Sequence, residues 1–188
     1  RARVEQVTAI SATSQDYALC TTLHSNLAAA AFDSLQADRR LVVLDVGMAM
    51  AATVDFFSQF KCKLLFVDLY SEDFVAEISE DISHQELVSL FRQALNIPDN
   101  CMIDICLFWD FFNYLDGTLI KAFIEALQPY VGEHTRGFGL GTLNSRCELP
   151  NSCYGLMRKD ALTQCPRSDE QRPVYPHSQR DLKSYLDY

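Results

Sequence analysis

The sequence predicts an α/β fold, a mostly parallel sheet with helices on both faces, and three observations carry that expectation. Residues 41–44 and 63–67 are short apolar runs of the kind that fills a strand buried on both sides. Between them, residues 51–60 place Val54, Phe56 and Phe57 on one wide apolar face, so 41–70 reads as strand, tight turn, helix and strand. A third apolar run, 102–109, follows a helix-forming interval, and strands alternating with helices cross over right-handed into a parallel sheet.

Composition bounds the rest. With 188 residues, 48% hydrophobic and 22% charged, the chain suits one core and one domain. No apolar run approaches the roughly 20 residues of a spanning helix, and the opening RARVEQ lacks the apolar core of a signal, so no membrane targeting is expected. The seven cysteines are odd in number and show no C-x-x-C, which reads as the reduced thiols of a cytoplasmic protein and offers no metal spacing. The formal charge of −9 is concentrated between Ser71 and Asp116, where ten acids face the single base Arg92. An acidic face of that kind repels phosphate backbones and anionic lipid, so neither nucleic acid nor membrane is expected as a partner.

Taken in order, residues 4–10 form a short helix or arm and 14–35 one long helix, with Asp38-Arg39-Arg40 ending the pattern. The 41–44 strand stops at Asp45 and the turn holds Gly47. After the 63–67 strand and Asp68, residues 72–78 suggest a short helix; Ser83 then caps 85–95, with Glu86 completing a capping box, and Ile97-Pro98 ends that helix. Residues 117–130 are amphipathic through Leu119, Ile120, Phe123, Ile124 and Leu127. The 135–143 strand alternates glycine at 137, 139 and 141, which implies close packing on one face. Residues 144–177 turn irregular, with one short strand near 154–157, and Ser178 caps a last helix over 178–185.

The turn after the first strand carries the chemistry. A glycine there leaves room for a ligand against backbone amides, and Gly47 is so placed. An acid about twenty positions on, at the tip of the next strand, can accept both hydroxyls of a ribose, and Asp68 is so placed. Asp45, two residues before the glycine, welcomes a cationic ligand group and disfavours a pyrophosphate, which speaks against an NAD-binding domain.

The run Asp45-Val46-Gly47-Met48-Ala49-Met50-Ala51 resembles the D-x-G-x-G-x-G turn of class I S-adenosylmethionine-dependent methyltransferases, with Ala49 and Ala51 in place of the second and third glycines. DICLFWDFFNYLD, residues 104–116, resembles the same family's fourth-strand motif, whose aromatic segment floors the site beside the methyl donor. The resemblance covers roughly residues 40–185. It implies a Rossmann-like methyltransferase fold with an N-terminal helical cap (1–40), a core (41–143) and a loop-rich C-terminal segment with a final helix (144–188). It implies a cofactor, S-adenosylmethionine, held by Asp45, Gly47, Ala49, Asp68, Leu69, Trp109 and Asp110, and methyl transfer to a small-molecule or protein acceptor. Tyr17 and His24 would lie over the pocket unless they serve only packing, and Tyr114, Tyr175 and His177 are candidates for a base. The family's third strand is short, displaced or absent here, and its C-terminal β-hairpin is missing, as in a fragment of a longer protein. That loss would leave the 135–143 strand as an edge, either paired in a homodimer or covered by residues 144–177. The alanines at 49 and 51 equally suit a methyltransferase-like binding or regulatory module that has lost activity.

Overall fold

The computed structural model describes residues 19–32, 39–77, 81–142, 149–168 and 170–186. Four parallel strands form its centre: β2 (Leu41–Asp45), β3 (Cys62–Phe66), β4 (Ile105–Trp109) and β5 (Arg136–Gly139), in the order β3-β2-β4-β5. The chain runs outward from β2 to β3, then returns to the other side of β2 for β4, so the strand order reverses between β2 and β4. In an open parallel sheet, the carboxyl ends on either side of such a reversal frame a crevice.

Helices cover both faces because the strands are apolar on both. On one side Leu44, Val46, Cys106 and Phe108 pack against α4 (His84–Leu95) and α5 (Gly117–Leu127). Ser83 and Glu86 form the expected capping box at the start of α4, and Asn96 at φ 43° closes its end. On the other side Val43, Ile105, Leu107, Trp109 and Phe138 pack against α1 (Asn26–Phe32) and α2 (Ala51–Phe57). Between β3 and α4 lie one 3-10 turn at Leu69–Ser71 and a single helical turn, α3 (Asp73–Ala76), in the interval where the family resemblance would place a strand. Among the described residues that strand is absent.

The second sheet departs from the expectations. β1 (Thr21–His24), β6 (Ser152–Arg158) and β7 (Ala161–Pro166) form an antiparallel sheet in the order β1-β7-β6. The long helix expected over 14–35 is therefore broken by β1, whose partner is more than 130 residues away in β7. Tyr17 and residues 4–10 lie outside the described residues, and His24 is exposed on β1. The β6–β7 hairpin is drawn from the 144–177 stretch read as irregular; it precedes α6 (Gln179–Leu186) and stands outside the parallel sheet. It lies on α2. The Leu156 N–H donates to Thr53 Oγ1 at 3.1 Å, and a Cβ at Gly155 would come within 3.0 Å of the Met50 Cβ, so only glycine lets the strand approach the helix.

The cysteines need a correction. Cys20 and Cys165 are joined by a disulfide, and Cys62, Cys101, Cys106 and Cys153 are thiols; Cys147 lies outside the described residues. Sequence spacing hid the bond because its partners meet only when β1 pairs with β7. The acid-rich stretch is not one face either: Asp110 is buried, and Asp104 bonds Arg39 and the Val42 N–H.

Candidate functional site

Asp45 and Asp68 end up near one another because β2 and β3 are parallel neighbours in register, Asp45 opposite Phe66, and both acids sit at carboxyl ends. Asp45 is 1% exposed. Its Oδ1 accepts the Gly47 N–H at 2.9 Å and the Trp109 indole N–H at 2.7 Å, while its Oδ2 is buried with no donor. Burial pushes the carboxyl up to about 7; the bonds from Trp109 and Gly47 pull it down, and the neighbouring charge of Asp68 adds to the rise.

Trp109 occupies the crevice between β2 and β4. It ends β4 at φ 50°, a conformation that bulky residues rarely adopt, beside an irregularity in the pairing with β5. That backbone turns the indole toward β2, where it lies over Gly47: a Cβ there would meet Trp109 Cδ1 at 3.1 Å and Asp45 Oδ1 at 3.3 Å. The indole also stacks on Tyr154 of β6, with centroids 5.8 Å apart and planes at 15°. The space that the glycine leaves is filled by protein.

Asp68 is also occupied. Arg167, one residue beyond β7, donates from Nη1 to Asp68 Oδ1 at 2.8 Å and from Nη2 to Oδ2 at 2.7 Å, a two-pronged pair, and also reaches Ser71 Oγ at 2.7 Å. The guanidinium lies over the Tyr70 ring, 5.3 Å from its centroid. Arg172 donates to the Tyr70 carbonyl at 2.8 Å, and its Nε is buried without a partner.

Asp110 is 3% exposed and caged by phenols rather than open to a pocket. Its Oδ1 accepts from Tyr70 at 2.7 Å, and its Oδ2 from Tyr154 at 3.1 Å and Tyr114 at 3.2 Å. Burial raises the carboxyl above its usual range, and the three O–H bonds oppose the rise. Burial raises all three phenols as well, so none is suited to lose its proton. Tyr114, a candidate base, is committed to this cage. Of the remaining sequence candidates, Leu69 is fully buried with its N–H on the Val46 carbonyl, and Ala49 is exposed beyond the turn. Tyr175 is 38% exposed with its N–H on the Asn113 carbonyl, and His177 Nε2 bonds the Leu115 carbonyl at 2.8 Å.

Asp45, Gly47 and Trp109 thus form one contact group, Asp68 joins it through its charge, Asp110 stands behind it, and Ala49 does not join. Sequence reasoning missed Arg167 and Tyr154, the two residues that complete the arrangement. The signal for Arg167 was a cation in an irregular stretch, and nothing local pairs it with Asp68. No group of three or more metal-ligating side chains occurs among the described residues, and no helix among them is long and apolar enough to cross a membrane. No protein-family model, curated protein or solved structure matches the chain.

Proposed function

We propose that the chain is a methyltransferase-like binding or regulatory module whose nucleoside crevice is filled by its own side chains. The observation that carries this reading is the Arg167 pair with Asp68, which engages both oxygens that a ribose diol would need. The indole over Gly47 supports it, since the open turn that a methyl donor would approach is packed. Such a module acts by what it presents to others. The exposed acids Asp73, Glu77, Asp81, Glu86 and Asp99 favour a basic or neutral protein partner over nucleic acid or an anionic membrane.

Methyl transfer from S-adenosylmethionine to a small-molecule or protein acceptor is the second reading. It is favoured by Asp45 Oδ2, a buried carboxylate oxygen without a donor at the strand reversal, where a cationic ligand group would be stabilised. In that reading the β6–β7 hairpin withdraws, Asp68 exchanges Arg167 for the ribose, and catalysis rests on positioning. A cytoplasmic setting belongs to either reading and rests on the thiols Cys62, Cys101, Cys106 and Cys153; there the Cys20–Cys165 bond would be transient or redox-active.

Calorimetric titration with S-adenosylmethionine, S-adenosylhomocysteine and NAD separates the readings. The module reading expects no binding heat from the wild type, and weak binding of S-adenosylhomocysteine after Arg167→Ala. Tight binding of S-adenosylmethionine by the wild type would overturn it in favour of transfer.

A further inference from the structure

Sulfur is concentrated where the hairpin meets β1. Cys20, next to β1, is bonded to Cys165 near the end of β7, and Cys153 on β6 is the direct cross-strand partner of Cys165. Side chains opposite one another in an antiparallel pair project to the same face. Their Cα atoms stand about 4.5 or 5.5 Å apart, and both separations fall within the range that a disulfide spans. Cys153 Sγ lies 3.5 Å from the Cys165 carbonyl oxygen, and the three cysteines pack in one cluster with Met48 and Met50. Cys62 on β3, Cys106 on β4 and Cys101 belong to other regions.

We propose that Cys20, Cys153 and Cys165 form an intramolecular thiol–disulfide switch. The Cys153 thiolate attacks Cys165 Sγ, the Cys153–Cys165 bond forms and the Cys20–Cys165 bond breaks. The electron pair leaves on Cys20 Sγ, which takes up from solvent the proton that Cys153 released. Electrons balance within the three residues, so no oxidant or reductant is consumed. Burial raises the Cys153 thiol, and the guanidinium of Arg167 opposes that rise, which supplies a cation beside the attacking sulfur.

The two bonding patterns differ mechanically. With Cys20 bonded to Cys165, the edge strand β1 is tied covalently to the hairpin. With Cys153 bonded to Cys165, the hairpin is stapled to itself and β1 is held by the four residue pairs of its ladder. Cys165 lies two residues before Arg167, the side chain that covers Asp68.

The test uses the full chain, purified without reductant, labelled with N-ethylmaleimide under native conditions, quenched in acid and mapped by peptide mass spectrometry. The switch expects both Cys20–Cys165 and Cys153–Cys165 peptides, with label on Cys20 in the second population, and loss of that Cys20 label in Cys153→Ser. In Cys20→Ser, oxidised glutathione should close Cys153–Cys165 in a protein whose circular dichroism is unchanged. Wild-type label confined to Cys153 with Cys20 never labelled, a folded Cys20→Ser variant that keeps both thiols, or a bond to Cys147 instead would each overturn the proposal. None of these results depends on whether the crevice binds a nucleoside.

Discussion

The indole N–H of Trp109 donates to Asp45 Oδ1 at 2.7 Å across the seam where the strand order reverses, joining the carboxyl ends of β2 and β4. One bond therefore closes the place where a parallel sheet of this order opens to a ligand. It also leaves the second oxygen of Asp45 dry and unpartnered, and the first prediction follows from that.

Asp45 titrates at about 7 in the fold against 3.8 as the ordinary value, so the folded state holds a proton between those values that the unfolded chain has lost. The favourable contribution of the neutral carboxyl is complete below pH 4 and is lost as pH rises through 7, a loss on the order of 4 kcal/mol by linkage. Asp110, raised in the same direction, adds to the trend. Urea unfolding should show the protein less stable at pH 8 than at pH 5, and Asp45→Asn should flatten that dependence. An Asn variant with the wild-type slope would mean that Asp45 is not the group responsible.

Gly47→Ala should destabilise the fold by about 1 to 3 kcal/mol, because the new methyl meets the Trp109 ring at 3.1 Å and the Asp45 carboxylate at 3.3 Å. The second variant to make is Gly47→Ala with Trp109→Ala, which removes the ring. If the penalty of the first change persists undiminished in that background, the glycine is needed for something other than the indole.

Arg167→Ala and Asp68→Ala should each lower stability by about 1 to 3 kcal/mol, since each leaves a partly buried charge without its two-pronged partner. The double substitution should cost less than the sum of the two. A strictly additive double-mutant cycle, measured by chemical denaturation, would show that the pair has no coupling.

Among the described residues β5 pairs with no strand but β4, and the hairpin sits on α2 rather than beside it, so β5 is a short, glycine-rich edge. Sedimentation velocity should show concentration-dependent dimerisation through this edge, and Gly141→Lys, which enters open space, should abolish it by placing charge at the strand end. A protein that stays monomeric at millimolar concentration would mean that the edge does not pair.

What was legible in the sequence was what depends on neighbours. The apolar runs of β2, β3 and β4, the Ser83–Glu86 box of α4 and the glycines of β5 each declare themselves within a few residues. The interpretation of those glycines as a close-packing face is met at Gly137, where a Cβ would come within 2.9 Å of the Phe108 ring, and is not met at Gly141, which has open space around it. β1 and β7 were missed because Thr21–His24 and Ala161–Pro166 lack the alternation of a half-buried strand and owe their conformation to each other. The crevice was half legible. Asp45, Gly47 and Asp68 were read from spacing and Trp109 from the 104–116 run, while the turned backbone that brings Trp109 onto Asp45 and the long-range partner Arg167 depend on strands that sequence proximity does not bring together.

Pairing β1 with β7 also sets an order of assembly. Cys20 and Cys165 are 145 positions apart, and bringing the ends of so long a loop together costs about 4 kcal/mol in chain entropy beyond a constant. The parallel sheet, whose successive strands are joined by shorter crossovers, can reward closure earlier. Before the Cys20–Cys165 bond forms, the antiparallel ladder of β1 should therefore zip up after the parallel sheet, and with that bond reduced its amides should open under native-state hydrogen exchange ahead of those in β2 and β4.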